Sequence, residues 1–355
     1  MKNYRIAVIP GDNIGPELMK AALAVLEATQ KVDGGFTLEF ETCLAGAAHY
    51  TEHGTAMSDE AIAACRAAAS VFKAPVGDPA VRTPEGIEAG LLGGVLRTGL
   101  DLYANVRPVK LYPGTPTPLH GYQPGGIDYV IIRENTEGLY ASRGKGVGGP
   151  NAMADTMIVT RAGTERVVRF AFEAAKKRNG APADGVRRVT CVEKSNVLRS
   201  FALFREIFLE IAGEYPGVEA ETIYPDAAAQ ALVMNPAHYD VLVMENLLGD
   251  ILSDLGGGTI GGLGMCPGGN IGDQYAYFEP VHGSAPDIAG LDIANPASQI
   301  LAGAMMLDHI GEESAARRIE SALWLALEEG ELSIDERGRA NRGTMSAAEA
   351  VIARL

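Results

Sequence analysis

Short apolar runs alternate with longer stretches of helical periodicity along almost the whole chain. Four-residue runs, mostly apolar and of the length expected for buried strands, occur at residues 6–9, 129–132, 189–192 and 241–244. Between them, apolar residues recur at helical spacing, most clearly at residues 165–178, just before Gly180. Strands that alternate with helices are typical of an α/β protein, so the sequence predicts a largely parallel sheet.

The C-terminal part of the chain has a mainly helical pattern. Apolar positions from Ala297 to Leu325 predict helices, and a last helix is predicted at residues 347–355. Residues 143–150 are rich in Gly and predict an exposed loop or hairpin arm. Because no linker-like segment is present, any change of domain is expected to run through strands.

Two Gly-rich stretches bear on dinucleotide binding. Residues 10–17 read Pro-Gly-Asp-Asn-Ile-Gly-Pro-Glu after the first predicted strand, with Pro16 well placed to begin a helix. This stretch does not contain GxGxxG. That motif occurs at Gly256, Gly258 and Gly261, but it follows a predicted helix where the dinucleotide fingerprint requires a strand. We therefore interpret it as a close-packed turn or hinge.

Composition and charge restrict the possible partners. The chain has 355 residues, with 47% hydrophobic and 21% charged residues, which is typical of a globular protein of one large or two ordinary domains. Its formal net charge of −15 argues against nucleic acid or an anionic membrane as a partner. An anionic substrate would therefore need a local cluster of Arg residues.

Cysteine usage and hydropathy predict a cytoplasmic location. The four cysteines are far apart and form no CxxC pair, which suits a reducing compartment: Cys43, Cys65, Cys191 and Cys266. No apolar run approaches the length of a membrane span, and the chain begins with a strand-like run without a basic and apolar leader.

An acidic pair follows the apolar run 241–244. Asp250 and Asp254 are four residues apart on a predicted helix and would share one face. Like charges at that distance repel each other, and a divalent cation such as Mg²⁺ or Mn²⁺ removes the conflict by binding carboxylate oxygen. A solvated acidic face is the ordinary explanation for such a pair, but its apolar and Gly-rich flanks favour a metal site.

Three arginines lie within or beside apolar runs. Arg97, Arg107 and Arg133 would be costly to bury without a partner, and planar guanidinium groups are suited to bidentate binding of carboxylates. Structural salt bridges would explain any one of them equally well.

Taken together, the motifs resemble those of the isocitrate/isopropylmalate dehydrogenase family of metal-dependent, β-decarboxylating enzymes. The resemblance covers nearly the whole chain and rests on motifs in the family's order, at residues 11–17, 101–108, 133–140, 193–198, 246–254, 270–273 and 279–296. It implies a two-lobed α/β fold with a mostly parallel sheet shared between the lobes, and not a Rossmann fold. Residues 1–103 and 262–355 would form the large cofactor-binding lobe, and residues 104–261 the small lobe with the dimer interface and metal site.

The resemblance also implies roles for individual residues. Arg97, Arg107, Arg133 and Asn196 would bind the substrate, a (2R)-hydroxy acid with a carboxylate at C3. Asp226, Asp250 and Asp254 would hold Mg²⁺ or Mn²⁺. Lys194 in its neutral form would act as general base, and Tyr140 would protonate C3 after decarboxylation. Lys194 and Asp226 would come from the second subunit of a homodimer, so that each active site is shared.

The same resemblance implies that the adenosine half of the cofactor binds at residues 279–296. The residues concerned would be Glu279, His282, Gly283, Ser284, Ala285, Asp287, Ile288 and Asn295. Asp287 predicts NAD, because a carboxylate accepts hydrogen bonds from a free ribose 2′-hydroxyl and repels a 2′-phosphate. Family members that use NADP carry Lys and Tyr at the positions of Asp287 and Ile288.

The identity of the substrate stays open at this level. Isopropylmalate-type members carry a pair of Leu before the first Arg, and this chain has Leu91 and Leu92, but two residues farther from Arg97. No polar anchor for a third carboxylate is visible there, which counts against isocitrate. Residues 101–108 and 133–140, however, are more similar to the NAD-dependent isocitrate and homoisocitrate branches. The alternatives are a decarboxylating D-malate or tartrate dehydrogenase and a non-catalytic regulatory subunit.

Overall fold

The computed structural model describes residues 2–84 and 86–355. The strands in these residues are β1 (Lys2–Ile9), β2 (Phe36–Thr42), β3 (Ser70–Lys73), β4 (Ala104–Lys110), β5 (Asp128–Glu134), β6 (Val147–Gly149), β7 (Ala152–Ala154), β8 (Arg188–Val192), β9 (Glu219–Ile223), β10 (Val241–Met244), β11 (Pro267–Ile271) and β12 (Ala276–Pro280). The α-helices are α1 (Gly15–Asp33), α2 (Ala47–His53), α3 (Asp59–Ala67), α4 (Arg161–Lys177), α5 (Arg199–Ala212), α6 (Pro225–Met234), α7 (Asn246–Thr259), α8 (Ala297–His309), α9 (Glu313–Glu328) and α10 (Thr344–Ile352). A π-helical segment covers Gly93–Thr98.

Ten strands form one sheet in the order β2-β1-β3-β12-β11-β4-β5-β10-β8-β9, and β6 pairs with β7 as a separate hairpin. Both flanks of the sheet are parallel, as the alternation of strands and helices predicts. The prediction of an α/β protein with a mostly parallel sheet is confirmed. The elements predicted at the first strand, at α4, at β10 and in the C-terminal helices are all present within a few residues.

The centre of the sheet is antiparallel, which the apolar pattern did not predict. Strand β11 pairs antiparallel with both β12 and β4, and β4 pairs antiparallel with β5. The four residues between β11 and β12 allow only a hairpin, since a parallel pair needs a crossover of a dozen or more residues. Strand β11 reads Pro-Gly-Gly-Asn-Ile, so no apolar run marks it in the sequence.

The hydrophobic core lies in clusters on the two faces and along the two halves of the sheet. One large cluster joins α1, α8, α9 and α10 with the strands they cover. A second cluster packs α4 and α5 against β5, β8 and β10. Helix α1 buries Leu18, Ala22, Val25 and Leu26, which are spaced as one helical face.

The antiparallel centre brings polar residues from distant parts of the chain to one place. Arg107 on β4, Arg133 on β5, Asn270 on β11 and Glu279 on β12 all belong to this part of the sheet. Of the helices in the described residues, none has the length and apolar character that crossing a membrane requires.

Candidate active site

Helix α7 carries the acidic pair into the cleft at the centre of the sheet. Glu245 caps the helix, since its carboxylate accepts hydrogen bonds from the backbone N–H of Leu247 at 3.0 Å and of Leu248 at 3.3 Å. The side chains of Asp250 and Asp254, one turn apart, are 38% and 52% exposed. The predicted pair is therefore accessible to solvent, and Asp254 is the more exposed of the two.

Arg133 crosses the face of α7 and reaches Asp250. Its Nε donates to the Asn246 side chain at 2.9 Å, and its Nη1 donates to Asp250. A Cβ at Gly249 would lie 2.5 Å from Cγ of Arg133. Glycine at position 249 therefore allows the buried Arg133 stem to pass directly over the helix backbone.

Arg107 contacts both members of the acidic pair. Its Nη1 donates to Ser253 at 2.6 Å and to Asp254 at 3.3 Å, and its Nη2 lies 3.7 Å from Asp250. Its Nε donates to Asn105 at 2.9 Å. The guanidinium group is thus held on three sides and faces the same cleft as Arg133.

Arg97 is held at the other end of the cleft by Glu279. Nη2 of Arg97 donates to Glu279 at 3.1 Å, and Nε donates to the Tyr277 hydroxyl at 2.9 Å. The second oxygen of Glu279 lies 2.6 Å from Nζ of Lys73. Burial opposes ionisation of Glu279, but the charges of Lys73 and Arg97 outweigh it and the pKa of that carboxyl is lowered. Within this chain, the predicted cofactor residue Glu279 forms a buried ion triad.

An amide network joins the two ends of the cleft. Asn270 accepts hydrogen bonds from Asn105 at 2.8 Å and from Asn135 at 3.0 Å, and it donates to Glu279 at 3.2 Å. Sequence reasoning missed these three asparagines, although each lies within a motif on which the family resemblance rests. Their buried amides fix Arg107 and Glu279 relative to each other.

We expect Glu279→Gln to lower the free energy of unfolding by about 3–5 kcal/mol, because it leaves Lys73 and Arg97 buried without a countercharge. Since the folded pKa of Glu279 lies below its ordinary value of 4.5, the wild type keeps this contribution at neutral pH and loses it only in strong acid. Urea denaturation at pH 7 measures the difference. Glu313→Gln, which breaks an exposed ion pair with Arg317, is the control and should change little. An equally small effect for both variants would contradict the prediction.

Tyr140 points at the acidic pair from a short 3₁₀ helix, Leu139–Ser142. Its hydroxyl donates to Asp250 at 2.7 Å. The backbone N–H of Leu139 donates to Glu245 at 2.8 Å, so the residue that caps α7 also anchors the segment that carries Tyr140. Burial and the hydrogen bond to Asp250 raise the pKa of Tyr140, which keeps the phenol protonated at neutral pH.

The charges of the cleft set the ionisation of the two aspartates. Burial opposes ionisation of Asp250, but Arg133, the Tyr140 hydroxyl and Arg107 outweigh it, and its pKa is lowered. Burial raises the pKa of Asp254, and Asp250 adds to this effect against the opposing charge of Arg107. Only one oxygen of Asp254 has a hydrogen-bond partner among the described residues, which leaves the other available to a cation.

Lys194 and Asp226 lie together, apart from the cleft. Nζ of Lys194 donates to Asp226 and lies 5.3 Å from the centroid of the Tyr224 ring. Neither side chain has a hydrogen bond or ion pair to the arginines or aspartates of the cleft. Asn196 is exposed on the loop that follows β8. The structure of one chain thus places these three predicted site residues on a separate exposed surface.

A cavity of about 360 Å³ opens beside Tyr140 and Asn246. Arg97, Asn135 and Thr98 line it, and so do Arg143 and Lys145, which sequence reasoning did not assign to the site. Arg143 follows Tyr140 by three residues, and that proximity was the available sequence signal. Leu91 and Leu92 do not line this cavity. Leu92 belongs to the core, and both residues border a neighbouring space beside Glu279.

The predicted cofactor segment surrounds a second cavity of about 410 Å³. Its lining includes five of the predicted residues, namely His282, Gly283, Ala285, Ile288 and Asn295. Ser284 is buried behind them and donates to the carbonyl of Gly77 at 2.6 Å, and Asp287 is exposed on a 3₁₀ helix, Pro286–Ile288. Arg337 and Arg339 also line the cavity and were missed, because they lie some forty residues beyond the motif.

No group of three or more potential His, Cys, Asp or Glu ligands occurs within the part of the chain that the structure describes. Asp250 and Asp254 supply carboxylate oxygen to the cleft, and Asp226 lies elsewhere on the same chain. The three predicted metal ligands are therefore not brought together within the described residues of one chain.

A model of the isocitrate/isopropylmalate dehydrogenase family matches residues 5–351. The sequence is 42% identical over 356 residues to a 3-isopropylmalate dehydrogenase of Methanothermobacter thermautotrophicus, with 100% of this chain and 99% of the relative covered. It is 43% identical over 355 residues to an isocitrate/homoisocitrate dehydrogenase of Thermus thermophilus, with 99% and 98% covered.

Among solved structures, the chain is similar to the crystal structure of isocitrate dehydrogenase from Methylococcus capsulatus. The TM-score is 0.86 at 42% sequence identity, and 99% of each chain is covered. These proteins, with different substrates in their names, are similar to the chain at nearly equal identity. Overall similarity therefore leaves the substrate to be decided by the residues of the cleft.

Proposed function

The chain belongs to the isocitrate/isopropylmalate dehydrogenase family of oxidoreductases acting on a CH–OH group, and from this premise we propose that it oxidatively decarboxylates a 3-substituted malate. The substrate is a (2R)-hydroxy acid with a carboxylate at C3, and the products are a 2-keto acid and CO₂. The convergence of Arg107, Arg133 and Tyr140 on the acidic pair of α7 is the observation that carries this proposal.

The donor set in the cleft fits the divalent metal ion that the family uses. Asp250 and Asp254 are hard oxygen ligands of the kind that Mg²⁺ and Mn²⁺ prefer, and Asp254 keeps one oxygen free of hydrogen bonds from the described residues. When bound, the cation would supply Lewis-acid polarisation of the substrate hydroxyl, and the nicotinamide would supply the acceptor for the hydride of C2.

The protein's own side chains bind the substrate and move its protons. Arg107 and Arg133 bind the carboxylates of the malate unit. Arg97 binds a carboxylate of the substrate at the other end of the cleft. Lys194 accepts the proton of the C2 hydroxyl as C2 is oxidised. After the bond between C3 and its carboxylate breaks and CO₂ leaves, the phenol of Tyr140 donates a proton to C3 of the resulting enolate.

The proposed active site is shared between the two subunits of a homodimer, with Lys194 and Asp226 contributed by the second subunit. Two observations support this arrangement. These residues lie away from the cleft of their own chain. In addition, apolar side chains are exposed on the segments that carry these residues and Asp250, among them Val197, Met234 and Ile251. An isologous contact across α7 would bury this surface and complete both sites together.

The division into two lobes is part of the same proposal. Residues 1–103 and 262–355 form the lobe that binds the cofactor, and residues 104–261 form the lobe that carries the metal site and the dimer contacts. The separate hydrophobic cluster of α4, α5 and their strands supports an independent core in the second lobe.

We propose NAD as the cofactor, with its adenosine half in the cavity lined by His282, Ile288 and Asn295. The exposed carboxylate of Asp287 stands at the edge of this cavity, next to Ile288. It suits a ribose 2′-hydroxyl and repels a 2′-phosphate. Arg337 is a cation in the cavity lining that would attract a 2′-phosphate. It is therefore substituted separately in the test.

Exchanging Asp287→Lys together with Ile288→Tyr should raise the ratio of kcat/KM for NADP to that for NAD by about 100-fold, since a charge-assisted contact adds about 1.5–3 kcal/mol. Initial rates with each cofactor at saturating substrate measure the ratio. Arg337→Ser is the comparison variant and should leave kcat/KM for NAD unchanged. If the wild type has the lower KM and equal turnover with NADP, and Arg337→Ser removes that advantage, the assignment of NAD is wrong.

A panel of malates tests the proposed reaction. The purified protein is assayed with NAD and Mn²⁺ on malate, tartrate, 3-isopropylmalate, isocitrate and homoisocitrate, and both NADH and CO₂ are measured. Equal yields of NADH and CO₂ with a 3-substituted malate support the proposal. A preference for malate or tartrate would instead support a decarboxylating malate or tartrate dehydrogenase. Absence of turnover across the panel would favour a regulatory subunit.

A further inference from the structure

Arg143 differs from Arg97, Arg107 and Arg133 in having no acidic partner within residues 2–84 and 86–355. Arg97 is paired with Glu279, Arg107 with Asp254, and Arg133 with Asp250. No ion pair or side-chain hydrogen bond joins Arg143 to another of the residues that the structure describes. Its position beside Tyr140 and its full charge are therefore available to a ligand.

Two contacts hold the Arg143 guanidinium at the rim of the 360 Å³ cavity. It lies over the Tyr140 ring, 5.4 Å from the centroid, while Arg133 lies 5.6 Å from the same centroid. A Cβ at Gly93 would stand 2.5 Å from Nη1 of Arg143, so the absence of a side chain at position 93 makes this placement possible. The guanidinium is thus positioned by stacking against Tyr140 and by close approach to the π-helical segment Gly93–Thr98.

On the side of Tyr140, the space next to Arg143 is open and no described carboxylate lines it. Nothing lies within 4 Å of a Cβ built on Gly94. The described residues that line the cavity include Arg97, Arg143 and Lys145 and no Asp or Glu. Thr98 and Asn135 add neutral hydrogen-bonding groups. A cavity with several cations and no carboxylate attracts an anion.

We propose that Arg143 is a specificity-determining residue that binds a carboxylate on the C3 substituent of the substrate. This inference rests on the proposed function, because it assumes that the malate unit is bound at the acidic pair of α7. The substrate class is then a tricarboxylate, a 3-substituted malate whose substituent ends in a carboxylate. Gly93 and Gly94 provide the room, Arg143 provides the charge, and Lys145 adds a second cation.

Leu91 and Leu92 do not line the cavity beside Tyr140. Leu92 is 2% exposed and packs in the core, and both leucines border the neighbouring space beside Glu279, which Arg143 also lines. The Leu pair seen in the sequence therefore does not make an apolar pocket for a branched alkyl substituent beside Tyr140. From the sequence we expected no polar group that could bind a third carboxylate. In this proposal Arg143 is that group.

The test compares substrates with and without a charged substituent in three variants. Isocitrate, homoisocitrate and 3-isopropylmalate are assayed with NAD and Mn²⁺ for the wild type, Arg143→Met, Arg143→Lys and the control Arg317→Met. Met replaces the unbranched stem of the side chain without its charge, and Lys restores the charge. Arg317 is exposed on α9, far along the chain from the cleft residues.

We expect the wild type to favour a tricarboxylate over 3-isopropylmalate. Arg143→Met should lower kcat/KM for the tricarboxylate by about 10- to 100-fold, leave 3-isopropylmalate turnover unchanged or improved, and leave the KM for NAD unchanged. Arg143→Lys should recover part of the loss, and Arg317→Met should behave as the wild type. Thermal denaturation of each variant checks that the fold is retained.

Three results would overturn the inference. An equal loss for charged and uncharged substrates would assign Arg143 to the positioning of Tyr140. A change confined to the KM for NAD would assign it to the cofactor. A wild-type preference for 3-isopropylmalate would show that the cavity takes an apolar group. In each case turnover persists and the proposed function stands, whereas absence of turnover with every substrate would remove both proposals.

Discussion

Lys194→Met should lower kcat by about 10²- to 10⁴-fold, the contribution of a positioned general base. The variant should keep its fold, because the lysine is on an exposed surface and its removal leaves Asp226 in contact with water. Steady-state rates at saturating substrate and Mn²⁺ measure the loss, and circular dichroism checks the fold. A rate near that of the wild type would contradict the assignment of Lys194 as the base.

A mixture of two inactive variants separates a shared site from a site within one chain. The subunit with Tyr140→Phe lacks the proton donor of its own cleft. The subunit with Lys194→Met lacks the base that it would supply to the cleft of its partner. Unfolding and refolding the two variants together at equal concentration should restore about a quarter of wild-type activity, since half of the dimers are hybrids with one intact site. If both residues served the cleft of their own chain, mixing would restore nothing.

Asp254→Asn should lower kcat/KM by about 10³-fold at limiting Mn²⁺, because polarisation of the hydroxyl by the metal contributes several kcal/mol. The substitution is nearly isosteric, and the amide oxygen can still accept the hydrogen bond from Arg107 at 3.3 Å. The defect should therefore lie in metal binding and leave the arrangement of the arginines intact. Calorimetric titration with Mn²⁺ in the presence of substrate gives the affinity directly.

The matched control for this variant is Asp308→Asn, on the exposed face of α8. It removes the same charge without touching the cleft, so Mn²⁺ affinity and turnover should equal those of the wild type. If Asp254→Asn bound Mn²⁺ as tightly as the wild type, the acidic pair would not be the metal site. The arginine cluster would then lack the cation on which the proposed reaction depends.

Charge distribution explains how a chain with a formal net charge of −15 can attract an anionic substrate. Acidic residues outnumber basic ones in the chain as a whole, but the cavity beside Tyr140 is lined by Arg97, Arg143 and Lys145. A concave site of one sign focuses its field toward the opening, so the local potential is opposite to that of the whole protein. Substrate capture should therefore weaken as salt is added, and less so in Arg143→Met.

The sequence by itself determined the elements of the fold that have a strong apolar period. Strand β10 and helix α4 were predictable within a few residues, because burial of one face imposes a spacing that can be counted along the chain. The acidic pair was also predictable, since two residues four apart on a helix share a face in any tertiary context. The motifs then supplied the family.

Only the tertiary structure decided which residues meet. The antiparallel centre of the sheet was invisible in the sequence, because β11 contains glycine and asparagine in place of an apolar run. That centre joins Arg107 to Glu279 through an asparagine network and places Arg133 on the neighbouring strand. The position of Arg143 likewise depends on contacts with Tyr140 and Gly93. Tyr140 precedes it by three residues, but Gly93 precedes it by fifty. Periodicity records burial along one element, whereas a binding site is a set of long-range contacts that periodicity does not contain.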